Sequence, residues 1–294
     1  MVVCYEAGCF GYEPARRMKE MGVEALVIAP QNWDEQGKRQ VNDKTDAQVM
    51  CHRLSDYLSG HQRALSIVRI PTREEEARRS QGRQREQLRG QIRRMQAMGR
   101  SLLLARSMPV KGPWWKGALW DQIRQQMPEW AVAQLTVWKG LIEVTEQEAR
   151  KIEAELKAAA GKGLVFGEGQ LTHELLWREL MDPQRFSNAR KVANYFGLCP
   201  SESTSDKRCL GSITKHGNPR LRQLMIEMAW RISMMQPEYR AVKKFAPVLE
   251  NKKASSASRK KAIVALARHL AVDLWRIATG RVKAEELGLR LTNQ

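Results

Sequence analysis

The period of the apolar positions changes several times along the chain, and each change marks an element. Val2, Val3 and Cys4 lead to Glu6, a Gly8/Gly11 turn follows, then a helix over roughly Tyr12 to Met21 and an apolar run from Val23 to Pro30. This pattern predicts a βαβ unit with a parallel sheet, in which Glu6 falls at the carboxyl end of its strand, where such sheets gather reactive groups. Beyond a polar loop, Gln31 to Asn42, a further helix begins at Asp43-Lys44-Thr45-Asp46-Ala47-Gln48, and Ser66 to Pro71 reads as one more strand.

From Thr72 to about Ala105 the apolar line thins to Ala77, Leu88, Ile92, Met95, Met98 and Leu102 inside a long helix dense in arginine. A helix with so narrow a stripe buries little alone, so it is expected to pair with a partner helix near residues 140 to 160, or with another subunit. Pro109 to Gly117 forms a proline, glycine and tryptophan turn, and Trp120, Trp130 and Trp138 follow; these aromatics read as core packing for short helices. A second helix, Val137 to Ala160, returns along the first. Gly161-Lys162-Gly163 then marks a boundary, and Phe166 to Thr172 joins two helices through a glycine turn that either presents backbone N–H groups to a phosphate or is a plain connection. A helix over Asn188 to Phe196 leads into a hydroxyl-rich loop, Gly197 to Thr214.

Leu221, Leu224, Met225, Met228, Ala229 and Ile232 then fall at i, i+3, i+4, i+7, i+8 and i+11, one buried stripe of a helix opened by Asn218 as N-cap and Pro219 at its first position. Two more helical segments, Glu238 to Val248 and Lys260 to Thr279, flank a serine-rich linker, Ala254 to Ser258. The whole predicts an α/β N-terminal region over 1–71, a helical coiled-coil region over 72–160 and a mostly α C-terminal domain over 161–294.

Charge narrows the function. Fifty Lys and Arg against 32 Asp and Glu give a net charge of +18 and a pI near 10.0, a field that attracts polyanions. The longest apolar run, Val23 to Pro30, is too short to span a bilayer, so DNA or RNA is favoured over membrane. The five cysteines lack any paired spacing, which excludes a disulfide framework and a zinc knuckle and points to a cytoplasmic, nucleoid-associated protein.

Two sets of residues carry candidate chemistry. Ser205 lies in the hydroxyl-rich loop with Lys207, Arg208 and Lys215 around it, and Arg220 and Arg222 sit off the buried stripe, free to point back at the loop. Together with the helix N-terminus they suit a phosphate held against a serine nucleophile. The plainer reading is a basic surface turn whose serines cap and solvate. Asp43 and Asp46 share one helical face, and with Glu6 they form an all-oxygen set suited to Mg²⁺ or Mn²⁺; acidic residues in a first turn are also ordinary dipole partners. The arginines at 78, 79, 83, 85, 89, 93 and 94 form a positive rod better explained by nucleic-acid backbone contacts than by salt-bridge lacing.

Tyr5-Glu6-Ala7-Gly8 with Gly11-Tyr12, Asp43-Lys44-Thr45-Asp46-Ala47, Asp182-Pro183-Gln184-Arg185-Phe186 leading to Gly197-Leu198-Cys199-Pro200, and Ile213-Thr214-Lys215-His216-Gly217-Asn218 with Leu221-Arg222 resemble, in order, the bacterial insertion-sequence transposases of the DEDD type with a C-terminal serine domain, the bridge-RNA-guided recombinases. The resemblance implies an RNase H/RuvC-like (resolvase-like) N-terminal fold whose carboxylates bind Mg²⁺, with Glu6, Asp43 and Asp46 as the second, third and fourth of them. It implies Ser205, five residues after Pro200, as the group that attacks a DNA phosphodiester. It further implies a structured non-coding bridge RNA as guide, and a homo-oligomer, dimer or tetramer, in which the carboxylates of one subunit work with the serine of another. The family's first carboxylate lies on a strand ahead of the Glu6 strand, so the N-terminal domain reads as truncated and incomplete, and Asp206 stands where the family has a small residue. The alternatives are a catalytically inactive nucleic-acid-binding remnant and a metal-dependent junction nuclease that does not use the serine.

Overall fold

The computed structural model describes residues 1–30, 43–161, 165–204 and 208–292, and within the last two stretches the side chains of 203, 204 and 208–210 are left aside. The chain separates into two compact units, Met1–Glu76 and Ala77–Gln294.

In the first unit β1 (Val2–Glu6) and β2 (Glu24–Ile28) pair in parallel, with Val2 opposite Glu24 and Glu6 opposite Ile28, and α1 (Glu13–Glu20) is the crossover between them. This is the expected βαβ unit. Pro14 at the start of α1 suits the helix because a first-turn N–H has no partner to lose. The predicted strand at Ser66 to Pro71 is reduced to an isolated antiparallel bridge between Ile28 and Ile67, with Ala29 N donating to Ser66 O and Val68 N to Val27 O. Pro71, which lacks an N–H, cannot extend that ladder. The predicted helix at Asp43 is α2 (Asp43–Leu58), which packs beside β1. The polar loop predicted at Gln31 to Asn42 lies outside the described residues.

The second unit has two cores. The first belongs to a helical hairpin: α3 (Arg73–Ala105), which starts at the end of the first unit, runs antiparallel to α5 (Glu129–Ala158), with the short α4 (Gly117–Gln126) at the turn. Ile92 and Leu103 pack with Leu135, Ile142 and Ala149, and Trp114, Trp115 and Trp120 close the tip. Trp114, Trp115 and Trp120 are core as expected and Trp138 packs against that core, but Trp130 is exposed, and α5 supplies the expected partner helix. It begins eight residues before the predicted start at Val137, immediately after Pro128, whose extended backbone makes it a natural boundary.

The positive rod is largely laced, contrary to the sequence expectation. Arg85 and Arg89 share Glu153 at 2.9 and 2.7 Å, Arg83 holds Glu179 at 2.8 Å, and Arg78 lies 3.4 Å from Glu174. These carboxylates come from α5 and α6 (Gln170–Leu180), more than sixty residues away in sequence, so local charge counting on α3 does not see them.

The larger core is built around α8 (Pro219–Met235) and α10 (Ser256–Ala278), which pack on each other and on α6, α7 (Ala189–Tyr195) and α9 (Arg240–Leu249). Of the predicted stripe, Leu221, Met225, Met228, Ala229 and Ile232 are fully buried, while Leu224 is half-buried and lines the cavity that Arg220 enters. The supposed linker at Ala254 to Ser258 is instead the start of α10: Ser255 Oγ accepts from Ser258 N at 3.1 Å, and the helix begins one residue later. Removing that cap in a Ser255→Ala variant is expected to cost about 1 kcal/mol, read as a lower midpoint of urea unfolding. The glycine turn ahead of α6 is pinned to the larger core through its carbonyls, since Arg231 donates to Gly167 O and Glu168 O and Gln236 to Phe166 O.

Candidate nucleic-acid interface and reaction site

The segment expected to be a hydroxyl-rich loop is a β-hairpin. β3 (Pro200–Thr204) pairs antiparallel with β4 (Arg208–Ile213), Glu202 opposite Leu210 and Thr204 opposite Arg208. Small polar and β-branched residues serve a two-stranded ribbon as well as a loop, and Ser201 Oγ donates to Ser212 O at 2.9 Å, tying the ribbon across its base. A Cβ at Gly211 would meet that Ser201 hydroxyl, so a larger residue there would have to displace the Ser201 to Ser212 hydrogen bond. Ser205 and Lys207, with Asp206 between them, lie outside the described residues.

Both ends of the hairpin are anchored on one backbone junction. Thr214 N donates to Cys199 O at 2.8 Å and Asn218 N to Tyr195 O at 2.7 Å. Gly217 sits so close to the end of α7 that a side chain there would strike Tyr195 O and Gly197 N, and Gly197 itself has φ +64°. The two motif segments far apart in the sequence pattern, Gly197 to Pro200 and Thr214 to Asn218, are therefore pressed backbone to backbone.

From that junction α8 departs, and Asn218 opens it as predicted: its Oδ1 accepts from Arg220 N at 2.9 Å and Leu221 N at 3.3 Å. Arg222 Nη1 donates to Lys215 O at 3.2 Å, so Arg222 does turn back toward the hairpin, and Lys215 is held at φ +60° beside it. Arg220 does not. Its guanidinium pairs with Glu86 on α3 and lines a cavity with Arg79, Arg85, Arg178 and Glu179. A carboxylate on a neighbouring helix outcompetes the loop for that cation, so of the expected phosphate partners Lys215 and Arg222 lie together, Arg208 lies on β4, and Arg220 is committed elsewhere.

Glu179 links these elements and was not anticipated. Its carboxylate accepts from Arg83 Nε at 2.8 Å and Nη2 at 3.0 Å, and from Asn218 Nδ2 at 3.0 Å, so one buried group ties α3, α6 and the cap of α8. Burial alone would raise its pKa, but the Arg83 guanidinium and the Asn218 amide outweigh that and hold the carboxyl below its usual range. A lone glutamate on an amphipathic helix gives no sign of this in the sequence.

In the first unit Glu6 ends β1 and Asp43 and Asp46 open α2, which packs on that strand. Carboxylate oxygens suit Mg²⁺ or Mn²⁺ by donor chemistry. Among the described residues, however, no three His, Cys, Asp or Glu side chains are arranged to hold a metal ion, so the structure does not bring the three carboxylates together as a ligand set. The cysteines at 4, 9, 51 and 199 are free thiols.

A cationic turn and helix clamped beside a two-stranded ribbon is equipment for handling a polyanion. Residues 165–244 match the family described as Transposase IS116/IS110/IS902 family, a segment that contains the hairpin, the Gly197/Gly217 junction and the whole of α8. Over nearly its full length the chain is similar to proteins named as transposases. It is 28% identical to y4rJ of Sinorhizobium fredii over 97% of this chain and 78% of that protein. It is 29% identical to y4qE of the same organism over 77% of this chain and 57% of that protein. It is 26% identical to the transposase for insertion sequence element IS1328 of Yersinia enterocolitica over 82% of this chain and 73% of that protein. The chain is thus similar in its site-bearing segment to the IS116/IS110/IS902 transposase family, and along most of its length to proteins named as transposases.

Proposed function

We propose that this protein is the transposase of an insertion sequence, a DNA recombinase in which the Ser205 hydroxyl attacks a DNA phosphodiester. The observation that carries the reading is that the family match falls on the segment where the hairpin bearing position 205, Lys215, Arg222 and the N-terminus of α8 are locked together. In the step itself the serine oxygen forms a bond to phosphorus as one bridging oxygen leaves. The serine proton is lost and the leaving oxygen gains one, so a hydroxyl strand end is released and a phosphoserine link remains. Because one phosphate ester replaces another, the reverse attack by a second strand end rejoins DNA without a nucleotide cofactor. Arg222 and Lys215, with the α8 N-terminus, would hold the non-bridging oxygens.

The remaining parts of the reading come from the resemblance. The first unit is proposed as an RNase H/RuvC-like domain whose Glu6, Asp43 and Asp46 would hold Mg²⁺ or Mn²⁺, which when bound would neutralise phosphate charge; the serine step is written without it. A bridge RNA is proposed as guide, supported by the net charge of +18. A homo-oligomer is supported by Trp130, Val137, Leu141 and Val144, an exposed apolar row at heptad spacing on α5. Among the described residues no helix is long and apolar enough to cross a membrane, and a cytoplasmic location is proposed.

The test is covalent capture. With a DNA substrate carrying the element's own end, the chain is expected to give a protein–DNA adduct on a denaturing gel, and Ser205→Ala to give none while still binding DNA. An adduct of equal yield from Ser205→Ala would remove the serine. Salt-sensitive binding with no strand transfer by either protein would leave the non-enzymatic remnant in its place.

A further inference from the structure

Two clefts of the second unit, about 680 and 480 Å³, are both lined by Arg268 and Val272 of α10 and so adjoin at that helix as the two arms of a groove. One end opens at the base of the hairpin, at Pro200, Ser201 and Thr214, and is flanked by Arg190 and Asn194 of α7. The other end is flanked by Lys244 and Phe245 of α9 and by His269. Nothing in the sequence pattern draws these residues together, since they come from three separate helices, α7, α9 and α10.

The cations here differ from those that the fold pairs off. Arg83, Arg85, Arg178 and Arg240 are each paired with a carboxylate. Among the described residues Arg190 and Arg268 form no hydrogen bond or ion pair, and Lys244 has only the ring nitrogen of His269, at 3.4 Å, within reach. The single carboxylate lining the groove among the described residues is Glu202, at the hairpin end. Asp273 beneath it is buried and already held by Tyr239 and Arg240, at 2.8 and 2.6 Å, with Arg276 nearby. His269 is pushed toward its neutral form by burial, then by Lys244, with Arg268 and Arg240 adding to that against Asp273. The groove therefore holds uncompensated positive charge while it is empty of anion.

The lining also has a stacking surface. The Phe245 ring is half-buried, its centroid 5.8 Å from that of His269, and Lys244 Nζ lies 5.6 Å from the Phe245 centroid. Cations along a groove with an aromatic pair at one end match a phosphodiester backbone whose bases are free to leave their partners. A duplex keeps its base faces stacked inward and offers nothing to such a pair.

We propose that this groove binds an unpaired nucleic-acid strand, its phosphates on Arg190, Arg268 and Lys244 and one base stacked on Phe245, and so leads the strand to the base of the β3–β4 hairpin. The proposal rests on the reading of the protein as a nucleic-acid recombinase and extends it to the path of the substrate.

The test is equilibrium binding by the full chain, which needs no chemistry. Fluorescence anisotropy is followed against salt with labelled oligothymidylate and oligouridylate of about 20 nucleotides, long enough to pass along a groove of this kind, and with a duplex of the same length. The variant Arg190→Gln/Lys244→Gln/Arg268→Gln is expected to lower the slope of log affinity against log salt by about 2 for the single strands, at about 0.7 for each phosphate no longer neutralised. A charge-matched variant on α3, Arg93→Gln/Arg94→Gln/Arg100→Gln, is expected to change it by less. Phe245→Leu keeps the apolar volume and removes the ring face, and is expected to weaken strand binding by about fivefold to a hundredfold at fixed salt. Circular-dichroism melts confirm that each variant is folded. The proposal is overturned if the groove variant lowers the slope no more than the α3 variant, or if Phe245→Leu binds the strands as the parent does. Groove-dependent binding in a chain that never forms an adduct would retain the groove and remove the nucleophile; adduct formation with an unaltered slope in the groove variant would do the reverse.

Discussion

Glu179→Gln is expected to destabilise the second unit by about 3 kcal/mol at neutral pH. The glutamine keeps the shape and one acceptor oxygen but removes the charge that Arg83 meets through two nitrogens, at 2.8 and 3.0 Å, and weakens the partner of Asn218 Nδ2. Breaking a buried pair costs roughly 3 to 5 kcal/mol because the remaining charge is left uncompensated. The low end applies because the Arg83 side chain is about one-third exposed and keeps some water. The pH dependence separates this from a simple packing defect. Glu179 has a folded pKa below the ordinary carboxylate value, so its contribution is fully present above that ordinary value and is lost as pH falls through the folded one. The gap between parent and Glu179→Gln should therefore narrow on acidification from about pH 4.5 downward. Glu153, depressed against burial by Arg89 and Arg85, titrates equally in both proteins and cancels from the difference. Chemical denaturation at pH 7 and pH 4 measures it, and a gap that stays constant would show that charge is not what Glu179 contributes.

The same residue shows where sequence reading stops. The stripe of α8 was legible because its five buried positions recur at helical spacing and Asn218-Pro219 marks where it starts, both local signals. The βαβ start and the core role of Trp114, Trp115 and Trp120 were legible for the same reason. What was not legible is long-range polar pairing. The arginines of α3 read as an unpaired rod because Glu153, Glu174 and Glu179 are 64 to 96 residues away, and Arg220 reads as a phosphate ligand until Glu86, 134 residues earlier, is placed beside it. Pro200 to Thr204 read as a loop because hydroxyl residues signal turns as readily as they line a two-stranded ribbon; the antiparallel partner and the Ser201 to Ser212 bond decide between the two.

These pairings also alter what the net charge means. A chain of +18 is expected to be coated with free cations, yet Arg78, Arg83, Arg85 and Arg89 of α3 and Arg178, Arg220 and Arg240 are held by carboxylates. Two of the surfaces that keep available charge, the turn with Lys215 and Arg222 and the groove across α10, border the β3–β4 hairpin. Concentration of unpaired charge, more than total charge, is what sets a strand's path over a surface.

A stability effect of similar size is expected at the tip of the helical hairpin, from a substitution that looks conservative. Gly99 lies inside α3, where alanine would ordinarily gain about 1 kcal/mol of helix propensity. Here the indole of Trp114 lies directly over the Gly99 Cα, so that a methyl group at this position would occupy the six-membered ring. Trp114 cannot yield easily. It is fully buried, its Nε1 donates to Gln96 O at 3.0 Å, and Trp115 and Trp120 stand against it with centroids 5.8 and 6.4 Å away. Overpacking of this kind costs roughly 1 to 3 kcal/mol, and displacing a ring pinned on three sides belongs at the upper end, so Gly99→Ala is expected to lose about 2 kcal/mol net of the propensity gain. The mechanism has its own signature in a double-mutant cycle. Trp114→Leu alone should cost several kcal/mol, on the order of 3, through the cavity it leaves. Once the indole is gone, adding Gly99→Ala should become stabilising, because only the helix-propensity term remains, giving a coupling energy of about 3 kcal/mol between the two sites. Urea unfolding of the four proteins measures that coupling, and additive effects would mean that the indole is not what requires a glycine at position 99.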